Sequence, residues 1–173
     1  NSGKVQGKRY LSNTVGCSNK WSIAQTPAGI YFMDSNEKSI YLFNGQLNNL
    51  SSTAGMNSWT KQNIPSASVE WSPCDFDKSK AFVSYYDKLN QDVLFITGGT
   101  ALAYSERFGC FTSFYDYGGT PYFNSLDDME IWTTKEGLWQ HQSGKYCNFF
   151  DNNKPFSMTL VANQEPQVDK IFT

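Results

Sequence analysis

Short apolar runs alternate with polar residues along this chain and break at Gly, Asn and Asp. Residues 29–34 (GIYFMD) read as a strand entering a turn, with 35–38 as that turn. Residues 39–45 return as a second strand and end in the Asn44-Gly45 turn. The spacing predicts a tight antiparallel hairpin. A second hairpin follows from 82–87, a turn at 88–91 and a strand over 92–96. Gly98-Gly99 reads as a further hairpin turn. A weaker strand over 19–24 turns through 26–29 into the first hairpin. Residues 156–163 read as an outgoing strand with Phe156, Met158 and Leu160 on one face.

The pattern repeats. Residues 109–115 align with 144–150 at an offset of 35: Gly, an aromatic two later, and aromatics five and six later. Upstream, 101–103 lines up with 137–139 and 92–95 with 128–131. A period of 35 to 45 residues built from short strands predicts an all-β fold of propeller-like blades. The chain length then gives about four blades, or part of a larger propeller. One domain spanning 1–173 is expected, with an open β-sandwich as the alternative fold. Phe111, Phe114, Tyr146 and Phe149 are expected to fill the space between blades.

One segment departs from the strand pattern. Residues 50–61 predict a short helical insert, with Ser51 or Ser52 as the cap and Leu50 before it. Met56 and Trp59 share one face, and Pro65 stops the helix. Residues 71–77 read as a loop around Pro73.

Composition narrows the function. The 173 residues carry a formal charge of −2, only 17% charged residues and 16% aromatics. That balance belongs to a folded chain, not a disordered one. It also removes the electrostatic basis for direct nucleic-acid binding. The longest apolar runs are too short for a membrane-spanning helix. The chain opens at Asn1 and its first ten residues are polar, so it reads as a section of something longer.

Candidate chemistry is sparse. Cys17, Cys74, Cys110 and Cys147 lie 57, 36 and 37 residues apart, with no CxxC for zinc. They are expected to be reduced thiols packed as small hydrophobes. The single histidine, His141, reads as part of a polar loop, and its flanks match no nucleophile pattern. Asp127 and Asp128 are adjacent, and in a strand they would point to opposite faces. No cofactor or metal motif is present. A propeller glycosidase would need two carboxylates across a pocket, drawn from Asp75, Asp87, Asp92, Asp116, Asp127 and Glu130.

Four segments carry a family likeness. They are 29–34 with 39–45; 55–59; 90–95 with 104–106 and 111–117; and 160–172. In order and spacing they resemble the muzzle or nozzle (tail stabilisation) proteins of crAss-like short-tailed bacteriophages. The resemblance runs from about Trp21 to Phe172. It implies a non-enzymatic structural protein of the virion tail, in a ring at the distal end of the tail tube. The implied partners are other copies of the same protein and neighbouring tail proteins. Such proteins are much longer than this chain. The alternative is a glycan-binding propeller for host-surface attachment. Trp59, Trp132 and Trp139 are its candidate stacking platforms, with Gln140, Asn148 and Asn152 as polar partners nearby.

Overall fold

The computed structural model describes residues 10–66, 72, 81–116, 122–124 (as backbone) and 130–159. The chain is mostly β-sheet with few helices. After a single 3-10 turn at Lys20–Ser22, the first sheet is a four-stranded antiparallel meander. Its strands are β1 (Ile23–Thr26), β2 (Gly29–Asp34), β3 (Ser39–Phe43) and β4 (Leu47–Asn49). Two short helices follow, α1 (Leu50–Thr53) and α2 (Asn57–Asn63). The second sheet is another four-stranded meander: β5 (Phe82–Asp87), β6 (Asp92–Thr97), β7 (Thr100–Ser105) and β8 (Cys110–Tyr115). A third sheet has the order β11-β10-β9, from β9 (Tyr122–Asn124), β10 (Ile131–Thr134) and β11 (Leu138–His141). The small hairpin β12 (Asn148–Phe149) and β13 (Asn152–Asn153) ends the described elements.

Alternation along the second sheet decides the architecture. Phe82, Val93, Phe95, Leu102 and Tyr104 face one way and join Tyr31, Met33, Ile40 and Leu42 of the first sheet in one core. Val83, Leu94, Ile96, Ala101 and Ala103 face the other way and join Ile131 of the third sheet in a second core. The second sheet is thus apolar on both faces and covered on both. Among the described residues, the other face of the first sheet is only partly covered, with Tyr41 buried there. Its outer side carries the rows Ile23-Phe32-Tyr41 and Ile30-Phe43-Leu47, read from the strand register. Ile23 is 43% and Ile30 39% exposed there. The four-stranded sheets are open.

The aromatic strand β8 keeps its register by means of a bulge. Ala103 pairs with Ser113 but Tyr104 pairs with Phe111, so Thr112 is the extra residue. Phe111 and Phe114, an odd number apart, therefore reach the same face. Phe111 meets Tyr104 edge-on, and Phe114 meets Trp59 at 5.9 Å between ring centres. The expectation that Phe114 is filling holds only in part, because it remains 55% exposed.

Two hairpins use the same lock. Asp34 ends β2, and its Oδ1 accepts from the backbone N–H of Asn36 (2.7 Å) and Glu37 (3.0 Å). Asp87 ends β5, and its Oδ1 accepts from Leu89 N (2.9 Å) and Asn90 N (3.1 Å). Each four-residue connection ends in a residue with positive φ, Lys38 (53°) and Gln91 (58°). The remaining oxygen of Asp34 accepts from Gly16 N at 2.7 Å and ties down the preceding chain.

Between the first two sheets sits one carboxylate. Glu106 accepts from Thr26 Oγ1 and also from the Tyr31 and Tyr86 hydroxyls. Burial first, then this carboxylate, pushes both phenols above their ordinary range. They remain neutral donors that clasp β1, β2 and β5 to the end of β7.

The helical insert differs from expectation at its cap. Asn49, not Ser51 or Ser52, accepts from the Ser52 N–H, and Leu50 is the first helical residue. Ser51 is buried and accepts from Ile40 N at 2.8 Å, which docks the insert on β3. Met56 and Trp59 pack on the first core as their spacing predicts. Lys38 Nζ donates to Ile64 O at 2.7 Å just after α2 ends.

The 35-residue offset is not carried through. Residues 109–115 enter the full strand β8, whereas 144–150 form turns and the two-residue β12. Loop order differs too: Asp34 locks the second connection of its meander, Asp87 the first. The strand expected over 156–163 is irregular over 156–159. Residues 160–163, the loop over 73–77, Cys74, Asp75, Asp127 and Asp128 lie outside the described residues.

Gly29 offers a local test. Its φ is +147°, and an added Cβ would clash with the Phe43 carbonyl and sit 2.9 Å from Leu42 Cδ1. Gly45 has φ +101° but open space around it. In urea titrations, Gly29→Ala is expected to cost about 2 kcal/mol or more, and Gly45→Ala about 1 kcal/mol. Equal losses would show that the clash contributes nothing.

Candidate functional site

Ile131 joins Ala101 and Ala103 in the second core. Toward the Asp87–Asp92 end of the β5–β6 hairpin, the second and third sheets separate around a cleft of about 770 Å³. Register explains which side chains enter it. Thr133 pairs with Trp139 and Ile131 with His141, so these four share the inward face of the third sheet. Trp132 pairs with Gln140 on the opposite face. Residues 142–151 wrap the open side, where Gln142, Cys147, Phe150 and Asp151 all hold positive φ.

Polar groups at the cleft are largely committed. Asp87 Oδ2 accepts from Gln142 Nε2 at 2.6 Å and Asn90 Nδ2 at 2.8 Å, in addition to its two backbone donors. It anchors the wall to the hairpin. Asp92 lies across the ladder from Asp87. Burial raises its pKa, a hydrogen bond with Ser105 opposes this, and the Asp87 charge adds to the rise. Of the proposed glycosidase carboxylates these two meet, but Asp87 is occupied as a structural anchor. Asp116 pairs with Lys154 at 3.3 Å, and Glu130 takes Trp132 Nε1 and Gln140 Nε2. Among the described residues, no three His, Cys, Asp or Glu side chains gather as metal ligands.

The three candidate tryptophans do not form one platform. Trp139 lines the cleft, edge-on to Phe150 at 5.5 Å, and its Nε1 donates to Lys135 O at 2.8 Å. Trp59 is half-buried on the first core. Trp132 is half-buried on the far face of the third sheet. Tyr146, expected as core, is fully exposed at the cleft. Phe149 is partly buried on the second core.

Two further expectations are corrected. His141 ends β11 rather than lying in a polar loop, and its ring packs 5.8 Å from Phe149. Cys17, Cys110 and Cys147 are free thiols, as expected, but all three are exposed rather than packed. The Asp34 and Asp87 locks and the inward Thr133 were not singled out from sequence. Asp at a strand end before Asn and Lys or Gln is a turn signal that points to the first two.

Comparison with known proteins supplies the deciding observation. Residues 1–136 match the family described as Crassvirus muzzle protein. The chain belongs to this muzzle protein family. A curated relative, the muzzle protein of Bacteroides phage crAss001, is 44% identical over 170 residues. That alignment covers 98% of this chain and 12% of the relative. Among the described residues of this muzzle-family chain, no helix is long and apolar enough to cross a membrane.

His141 gives the cleft a pH signature. Burial lowers its pKa below the ordinary 6.5, with Asp87 partly opposing. Below pH 6.5 the unfolded chain therefore binds a proton that the folded ring resists. Stability is full above 6.5 and falls as pH drops toward the folded value. Asp92 acts oppositely, in the more acidic window above 3.8. Urea unfolding between pH 7.5 and 5.5 is expected to lose stability with a slope below about 1.4 kcal/mol per pH unit. His141→Gln is expected to flatten that slope. An unchanged slope would place the titrating group elsewhere.

Proposed function

We propose that this chain is a structural module of the virion, part of the distal tail of a short-tailed bacteriophage, and that it acts through protein–protein assembly rather than catalysis. The single observation carrying this reading is the 44% identity to a phage muzzle protein along 98% of the chain. The chain spans 12% of that relative's length, so the module works as a small section of a long polypeptide.

In this reading the stacked meanders are blades of a propeller-like arrangement within one domain. Supporting it, the second sheet is covered on both faces, while the outer face of the first retains Ile23, Ile30, Phe32 and Phe43. The occupant of that face is another β-sheet of the muzzle protein, because the two interfaces already present are both sheet-on-sheet contacts of this kind. Other copies and neighbouring tail proteins complete the assembly.

Negative-stain microscopy of virions labelled with an antibody to this chain is expected to show label at the distal tail. Label confined to the capsid, or absent from virions, would overturn the assignment. Cross-linking of intact virions is expected to join Lys20 and Lys38, which flank the outer face in sequence, to other muzzle-protein peptides.

A further inference from the structure

The cleft between the second and third sheets has no task in an assembly made only of stacked sheets. Its volume of about 770 Å³ falls in the range of small-ligand sites, roughly 300–1,000 Å³. Thr133 lines it and is completely buried, yet its Oγ1 has no hydrogen-bond partner among the described residues. That hydroxyl lies beneath the cleft surface, so recognition falls to the exposed part of the wall. At the mouth, Tyr146 holds its ring fully in solvent, near Trp139 and Phe149 in the wall. An aromatic ring kept out of any core offers a flat apolar face to a ligand that is otherwise polar.

Charge selects among polar ligands. Among the described lining residues, Asp87, Asp92 and Asp151 outnumber the one cation, Lys145. Burial also keeps His141 neutral at pH 7. The wall repels anions, phosphates included. Asn148 adds a side chain able to both donate and accept.

We propose that this cleft binds a neutral saccharide, stacked on Tyr146 and Trp139. The inference does not depend on where in the virion the chain sits, and antibody labelling leaves it untouched. It separates Trp139 from the other two tryptophans, which lie outside the cleft.

The test is calorimetric titration of the purified protein with neutral trisaccharides of glucose, mannose, galactose and N-acetylglucosamine. A sialylated trisaccharide and tri-lysine serve as anionic and cationic probes. At least one neutral trisaccharide is expected to bind, and both charged probes are expected not to. Tyr146→Ala is expected to weaken binding about tenfold, whereas Trp132→Ala leaves it unchanged. Tyr146 is fully exposed, so its variant keeps the fold. Thr133→Val is expected to raise the urea midpoint of the free protein, since it removes an unpaired hydroxyl, and to leave binding unchanged. Failure of every neutral probe, preference for a charged one, or binding indifferent to Tyr146→Ala would each overturn the proposal.

Discussion

The two-faced second sheet is the constraint from which the rest follows. Its strands β5, β6 and β7 bury side chains on both sides. One side takes the bulky residues Phe82, Phe95, Leu102 and Tyr104 against Tyr31 and Met33. The other places the small Ala101 and Ala103 in a core with Ile131 of the third sheet. Size asymmetry along one set of strands therefore gives one filled interface and one that opens into a cleft.

Polar groups hold what the apolar faces bring together. Asp34 is fully buried yet accepts three backbone hydrogen bonds, so its desolvation is compensated. Glu106 serves both sheets at once, drawing on donors from β1, β2 and β5. Ser84 Oγ adds a buried bond to Ser22 O at 2.8 Å, the second sheet reaching the turn before the first. These contacts fix lateral position, which hydrophobic burial leaves free because it is non-directional.

Hairpins were legible in the sequence because period-two alternation and turn residues both act locally. Residues 29–45 and 82–96 formed as read. The bulge at Thr112 was not legible, since an inserted residue shows only when a strand meets its partner. The offset between 109–115 and 144–150 matched residue types but not conformation. Gly109 and Gly144 share positive φ, but Cys147 and Phe150 adopt it as well, which breaks the aromatic run into turns. The Asn49 cap was missed because Ser51, an equally good capping residue, is used to bind Ile40. Of the site, Trp139 was named in advance. The cleft itself depends on which face each strand turns to its neighbour, a tertiary fact.

The matching Asp34 and Asp87 turns carry a consequence for how the protein can diversify. Each hairpin fixes its own register with bonds internal to the loop, so neither relies on the stretch that joins them. Lengthening a connection costs only a slowly growing closure entropy. The joining segment can therefore gain residues without shifting either register, provided that Leu50, Met56, Trp59 and Ile64 keep the insert on the first core.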